Sequence, residues 1–318
     1  MSLTIATINV NGIRAAVKER SETNLGLLEW LKHTSSDVVL LQEVRATDDQ
    51  ARKALAPAFD AGWHWVGAEN LGAKGRAGVG ILSRFPLNDV QVGIGSEEFE
   101  ESGRFISGVA PAADTGLDAD VQIASLYLPS GAALSEKQDE KYRFLDAFSD
   151  YLAELGAKGR DGHHAVIGGD WNICHREQDL KNWKTNRRKS GFLPQERAWM
   201  DSIFGCWPDE VPQDSQVQAS DKELESGAFS DGSVWEAPKL NADPVWFDVT
   251  RRLHPEADGP WSWWTYRGKA FDTDAGWRID YQAATEPMLK RAVSSVVDKP
   301  AAYNLRWTDH APVIVEYA

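Results

Sequence analysis

Five short polar clusters, each closing or interrupting an apolar run, constrain this chain more than any other feature. They are Asn9-Val10-Asn11-Gly12, Gln42-Glu43, Gly168-Gly169-Asp170-Trp171-Asn172, Trp277-Arg278-Ile279-Asp280-Tyr281 and Thr308-Asp309-His310-Ala311-Pro312. The runs beside them, such as residues 3–8, 38–41, 165–167 and 313–315, are short and almost unbroken. Runs of that kind read as strands covered on both faces rather than half-exposed ones. The clusters therefore place carboxylates, amides and an imidazole at the ends of buried strands.

Spacing elsewhere supports the same architecture. Residues 3–8 and 38–41 read as the first two strands, with Leu25, Leu28, Trp30 and Leu31 on a helical face between them. Residues 79–82 and 121–128 read as further strands. From Ser135 to about Leu155, Phe144, Phe148, Tyr151, Leu152 and Leu155 recur at helical spacing, and Ser135 with Gln138 forms a potential capping box. A short strand at 165–167 runs straight into Gly168. Residues 194–204 look helical, and 278–283 and 312–316 are late strands. Hairpin-like strand pairs occur beside the strand–helix alternation. Mixed sheets covered by helices therefore fit better than a purely parallel sheet. The stretch 209–243, rich in Asp, Glu, Ser, Gln and Gly, is expected to be a mobile acidic surface insertion rather than a domain.

The chain has 318 residues, enough for one large α/β domain, and only two cysteines, Cys174 and Cys206. Two cysteines do not make a disulfide framework, so small buried thiols in a reducing compartment are expected. No stretch approaches the roughly 18 apolar residues of a membrane span, and the first residues show no signal-peptide pattern. The expected location is cytoplasmic, nucleoid-associated in a prokaryote. The net charge of −14 argues against broad polyanion binding. Local basicity remains: Lys181, Lys184, Arg187, Arg188 and Lys189 fall in one run without an acid. That run is either a solvated loop or a phosphate-contacting one, and its contrast with acidic surroundings favours the second.

The clusters suit hydrolysis of an anionic ester. Such a reaction needs charge neutralisation, an activated water and help for the leaving oxygen. Hard oxygen donors such as Glu43 and Asp309 suit a divalent cation for the first and third tasks. Asn9 and Asn11, two apart at a strand end, would share a face in extended geometry; the alternative is an Asx-type turn. Asp170 and Asn172 repeat that arrangement after two glycines, placing a carboxylate to orient or deprotonate water and an amide to donate to transition-state oxygens. Asp280 beside His310 would hold the ring and favour its charged form. Trp263, Trp264, Tyr266 and Trp277 are core by default, with one or two available as a wall against a sugar or base.

With these residues in order, the chain resembles the exonuclease III family of DNA-repair nucleases, part of the wider endonuclease/exonuclease/phosphatase superfamily. The matching segments are residues 6–15, Leu41-Gln42-Glu43, Leu126-Tyr127-Leu128-Pro129-Ser130-Gly131, Gly169-Asp170-Trp171-Asn172-Ile173, residues 190–197, Trp277-Arg278-Ile279-Asp280-Tyr281 and residues 308–312. The resemblance spans the chain apart from 209–243. It implies a four-layer α/β sandwich, two packed mixed sheets flanked by helices, in one catalytic domain over 1–318. It implies Mg²⁺, with Mn²⁺ as a substitute, and duplex DNA carrying abasic sites or 3′ ends, cut 5′ to the lesion or trimmed by 3′-5′ exonuclease action. By motif, Asn9, Tyr127, Asp170, Asn172, Asp280 and His310 would be catalytic, and Asn11, Glu43 and Asp309 would hold metal. Arg45, Arg188, Lys189, Ser190, Gly191, Trp263 and Trp277 would contact DNA. Asn11 stands where some relatives have Asp, and Val44-Arg45 replaces a frequent Thr-Lys. A monomer is expected, since the protein must embrace a duplex. Two rival readings are a same-superfamily enzyme acting on RNA or on inositol or lipid phosphates, and a non-enzymatic nucleic-acid-binding module.

Overall fold

A computed structural model describes residues 2–73, 75–207 and 219–318. In chain order its strands are β1 (Leu3–Asn9), β2 (Val38–Gln42), β3 (His64–Ala68), β4 (Val79–Ser83), β5 (Asn88–Val92), β6 (Phe105–Ala110), β7 (Val121–Tyr127), β8 (His164–Asp170), β9 (Phe247–Asp248), β10 (Asp280–Ala284), β11 (Ala292–Val297) and β12 (Val313–Tyr317). Its helices are α1 (Ile13–Ala16), α2 (Leu27–His33), α3 (Asp48–Asp60), α4 (Ala112–Thr115), α5 (Glu136–Arg160), α6 (Trp183–Asn186), α7 (Pro194–Phe204), α8 (Asp221–Ser226), α9 (Val249–Leu253) and α10 (Glu286–Arg291). No described helix is long and apolar enough to cross a membrane.

The strands form two six-stranded sheets, ordered β11-β12-β1-β2-β4-β3 and β5-β6-β7-β8-β10-β9. Each is mixed in the same way. Only β1–β2 is parallel in the first, and only β7–β8 in the second. The inner faces meet through Leu3, Ile5, Val38, Leu40 and Ile81 on one side and Ile106, Val121, Ile123 and Val166 on the other. The outer faces are covered too. Ile8, Val39 and Leu41 pack with Leu27 and Leu31 of α2 and Leu55 of α3. Ala165 and Ile167 pack with Phe144, Phe148 and Leu152 of α5 and Trp199 of α7. Burial on both faces is why these strands read as unbroken apolar runs. The result is the expected four-layer sandwich.

Pairing brings the strand ends together. β12 is antiparallel to β1, so the residues before β12 lie beside the end of β1. β10 is antiparallel to β8, and Asp280 pairs with Asp170. All five polar clusters thus fall on one edge of the sandwich. Just beneath, a polar bridge joins the sheets: Gln42 Nε2 donates to Ser125 Oγ at 3.0 Å, which donates to Leu41 O at 3.0 Å. Gln42 is therefore a structural member of its cluster. Gly169 is required where β8 meets β7, because a Cβ there would collide with the Leu126 carbonyl. Gly169→Ala is expected to lower the unfolding free energy by about 1–3 kcal/mol, measured by urea denaturation.

Two local expectations need correction. Ser135 begins α5 but makes no cap: its hydroxyl donates back to Ala132 O at 2.7 Å. Gln138 turns inward instead and donates to Glu196 at 3.1 Å. The buried carboxylate outcompetes an exposed cap. Of the stretch expected to be a mobile insertion, 219–243 packs against α5 and its neighbours, and residues 209–218 lie outside the described residues. There Trp235 is buried and stacks on Tyr142 of α5 at 4.1 Å, Tyr142 donates to Gly227 O at 2.9 Å, and Glu223 pairs with Arg187 at 2.9 Å. Polar composition concealed one anchoring aromatic. Cys174 is buried as expected, whereas Cys206 is partly exposed.

Candidate active site

The loops after β1 and β8 are built alike. Asn11 N–H donates to Asn9 Oδ1 at 2.9 Å, and Asn172 N–H donates to Asp170 Oδ1 at 2.9 Å. Asn11 has φ +46° and Asn172 φ +52°, so the backbone turns left-handed there rather than staying extended. Asparagine tolerates that region better than most residues. The Asx-turn alternative and the site reading thus describe the same atoms. Glu43 and Arg45, both at φ +50°, pay more for the same conformation. Neighbouring loops hold them: Gly12 N–H donates to Glu43 O at 2.8 Å and Arg45 N–H to Ala77 O at 2.8 Å. Backbone strain thus concentrates at this edge of the sandwich.

The clusters surround a cavity of about 430 Å³. It is lined by Asn11, Glu43, Arg45, Tyr127, Asp170, Asn172, Ser190, Gly191, Trp263, Trp277, Asp309 and His310. Asn9 lies buried beneath it, its Nδ2 donating to Glu43 Oε1 at 3.0 Å and to Asp170 Oδ2 at 2.9 Å. Both amide hydrogens are then committed, so Asn9 ties two carboxylates together and has no hydrogen left for a phosphate. Tyr127 OH also donates to Glu43 Oε1, at 2.8 Å. Asn11 Nδ2 donates to Asp309 Oδ1 at 2.9 Å, and Trp263 Nε1 to Asp309 Oδ2 at 3.1 Å. Asp280 is buried behind His310, with Oδ2 2.9 Å from His310 Nδ1. Across the ring, His310 Nε2 stands 3.8 Å from Asp170 Oδ2.

Charge is distributed unevenly here. Burial pushes the Asp170 carboxyl up to about 7; His310 pulls it down, while Asp280 and Glu43 raise it. Burial works against a charged His310, yet Asp280, then Asp170 and Asp309, raise it to about 10. Burial also raises Asp309, but His310, Asn11 and the Trp263 indole bring it below the ordinary carboxylate range. Burial, then Glu43 and Asp170, lift the Tyr127 phenol well above its usual value, so it stays a donor. Asp170, Asp280 and His310 cluster within 4.8 Å, but an imidazolium bonded to Asp280 offers no lone pair to a metal. Glu43, Asp309 and the Asn11 amide oxygen are the oxygen donors that fit a hard divalent cation.

Arg188 and Lys189 do not line the cavity; both are exposed on the segment leading to Ser190. Trp263 and Trp277 are half-buried and meet edge to face at 5.8 Å on one wall. Behind the Ser190–Gly191 loop, which abuts Trp277, lies a buried pair that composition and periodicity do not reveal, Lys141 and Glu196, 2.6 Å apart. Glu196 accepts from Gly191 N–H at 2.7 Å and Ser190 Oγ at 3.1 Å, while Lys141 Nζ donates to Asn172 O at 3.0 Å. The only available signal was Glu196's place in the motif at 190–197.

A double-sheet sandwich with carboxylates, amides and an imidazole converging at one edge defines a phosphoesterase-like class. The chain belongs to the Endonuclease/Exonuclease/phosphatase family, whose model matches residues 6–310. It is 29% identical over 305 residues to an exodeoxyribonuclease of Bacillus subtilis, covering 96% of this chain and 95% of the relative. It is 25% identical over 314 residues to a DNA-(apurinic or apyrimidinic site) endonuclease of Dictyostelium discoideum, covering 97% and 69%. Its fold matches an AP endonuclease from Archaeoglobus fulgidus with TM-score 0.70 at 24% identity over 99% of both chains.

Proposed function

We propose that the chain is a divalent-metal-dependent DNA-repair phosphodiesterase of the exonuclease III kind, one catalytic domain that cuts duplex DNA 5′ to abasic sites and trims 3′ ends. One observation carries the reading: Glu43, Asp170 and Asp309 line a single cavity with His310, and Asn9 bridges the first two. Relatives named for exodeoxyribonuclease and abasic-site endonuclease activity, matched over nearly the whole chain, favour DNA over RNA or inositol and lipid phosphates. They also favour an enzyme over a binding module, as does the presence of every expected polar group. The reading keeps the expectation of a cytoplasmic monomer.

Glu43 and Asp309, with the Asn11 amide oxygen, would hold Mg²⁺ or Mn²⁺. When bound, the cation would supply positive charge to the phosphate oxygens and the leaving oxygen. The remaining tasks fall to the chain. Ionised Asp170 accepts the proton of the attacking water, whose oxygen forms the new bond to phosphorus. The imidazolium of His310, kept charged by Asp280, binds a non-bridging oxygen beside it, and the free Asn172 amide hydrogen donates to the same group. As the phosphorus–oxygen bond to the leaving group breaks, the Tyr127 phenol turns its one hydrogen from Glu43 Oε1 to that oxygen. Trp263 and Trp277 form the wall against the sugar that lacks its base. Arg188 and Lys189 contact the backbone outside the cavity, and Ser190 and Gly191 contact it at the cavity's edge.

A gel assay tests this with two labelled duplexes, one with a central abasic analogue and one intact with a recessed 3′ end. Metal-dependent nicking at the lesion and shortening of the recessed strand are expected, both abolished by chelator. Neither product from folded protein would sink the DNA reading and leave RNA or inositol phosphates. Shortening alone would make the enzyme mainly a 3′ exonuclease.

A further inference from the structure

Glu43 offers few free acceptor directions. Oε1 receives Asn9 Nδ2 at 3.0 Å and Tyr127 OH at 2.8 Å, which fills both of its lone pairs. Only Oε2 remains, and it is paired with the guanidinium of Arg45. A cation held by Glu43 must therefore use the oxygen that Arg45 occupies. Two positive centres on one carboxylate oxygen repel each other at close range.

Arg45 is built to move away. Its backbone is fixed, with φ +50°, its N–H bound to Ala77 O at 2.8 Å and its carbonyl accepting from Arg14 at 3.4 Å. Its side chain is 45% exposed, whereas that of Glu43 is 13% exposed. It passes Gly12, where a Cβ would come within 4.0 Å of Arg45 Cδ and open space lies otherwise. A fixed root and a solvated head let the guanidinium turn outward without disturbing the loop.

We infer that Arg45 is an exchangeable counter-ion for the cation position. It neutralises Glu43 Oε2 while no divalent ion is bound, and it yields that oxygen when one binds. Released, it presents its fork of donors at the cavity mouth to a phosphate of the substrate. Cation loading and DNA engagement are thereby linked through one side chain. This inference rests on the proposed role of Glu43 as a cation ligand.

The test is calorimetric titration of Mn²⁺ into the DNA-free protein, as wild type, Arg45→Met, Arg104→Met and Glu43→Gln. Arg104 controls for general charge, since its guanidinium lies 5.3 Å from the Tyr127 ring but pairs with Glu140. Arg45→Met is expected to bind Mn²⁺ about twofold to fivefold more tightly, the range for loss of one partly exposed ion pair. Arg104→Met is expected to match wild type. Unchanged affinity in Arg45→Met, or equal tightening in Arg104→Met, overturns the exchange. Wild-type affinity in Glu43→Gln overturns the cation role of Glu43 itself, a separate failure. The second arm measures binding of a duplex with a non-hydrolysable phosphonate linkage. Arg45→Met should weaken it about fivefold with Mn²⁺ present and by less than about twofold in chelator, the scale of one phosphate contact. Equal losses in both conditions overturn the release step.

Discussion

Asp170→Asn is expected to lower the turnover number at pH 8 by about 10³-fold, within the 10²–10⁴ range of a positioned general base, without lowering the melting temperature. Asp170 accepts through both oxygens, from Asn172 N–H and from Asn9 Nδ2, each at 2.9 Å. An amide keeps one acceptor and turns a donor toward the other, so the variant lacks the base proposed for the attacking water. Stability runs the other way. Burial pushes the Asp170 carboxyl up to about 7, above its value in the unfolded chain. The native state then binds the proton more tightly, so this residue's contribution is full at low pH and is lost as pH rises from about 4 through 7. Near pH 8 the buried carboxylate is a burden on folding, which the amide removes. A calorimetric scan at pH 5 and pH 8 checks this: the variant should gain on the wild type between the two. A clear fall in melting temperature at pH 8, or near-full turnover, would refute the assignment. Activity here is maintained against stability, as at many functional sites.

The second large effect lies just outside the cavity. Asp179→Ala is expected to lower the unfolding free energy by about 3–5 kcal/mol, the loss typical when one partner leaves a buried ion network. Asp179 Oδ1 lies 2.6 Å from Arg251 and 2.7 Å from Arg278, and Arg278 also pairs with Asp248 at 2.7 Å. All four side chains are buried. Asp179 also accepts from Arg176 N–H at 2.8 Å and, through its carbonyl, from Arg278 N–H at 2.8 Å. Burial raises its carboxyl, but Arg278 and Arg251 hold it well below the ordinary range. Its stabilisation is therefore present above the unfolded value of about 4 and is lost as pH falls below it. Urea denaturation from pH 6 to pH 3 should show acid sensitivity in the wild type that is blunted in Asp179→Ala. Arg278 leads directly into Asp280, so the variant should also loosen the support of His310.

Much of this was legible from the chain because strand-end chemistry is local. Asp309-His310 precedes an apolar run, and Asn9/Asn11 and Asp170/Asn172 repeat a spacing, so each announced itself without partners. What sequence concealed depends on distant contacts. The helix Asp48–Asp60 carries a true capping box, in which Gln50 N–H meets Thr47 Oγ1 at 3.3 Å, but most of its apolar residues are alanines and Pro57 interrupts it, so its helical signal is weak. The same pattern at Ser135 and Gln138 stands out beside an apolar helix yet does not form a box, because Glu196 claims Gln138. The edge strand Asn88–Val92 is exposed throughout, and Val90 and Val92 alone are too short an alternation to announce it. Glu196 and Lys141 order the rim only after α5 and α7 have packed.

The pairing of β12 with β1 sets a timetable for synthesis. A ribosome-bound chain that has reached residue 300 already contains Asn9, Glu43, Asp170 and Asp280, and most of both sheets. It has no Asp309 or His310 to complete the centre. Only after residues 309–317 clear the exit tunnel can the closing strand slot between β11 and β1 and bring them into place. A chain cut short before residue 309 should therefore hold both halves of the sandwich's edge without the Asp309-His310 pair that closes the cavity.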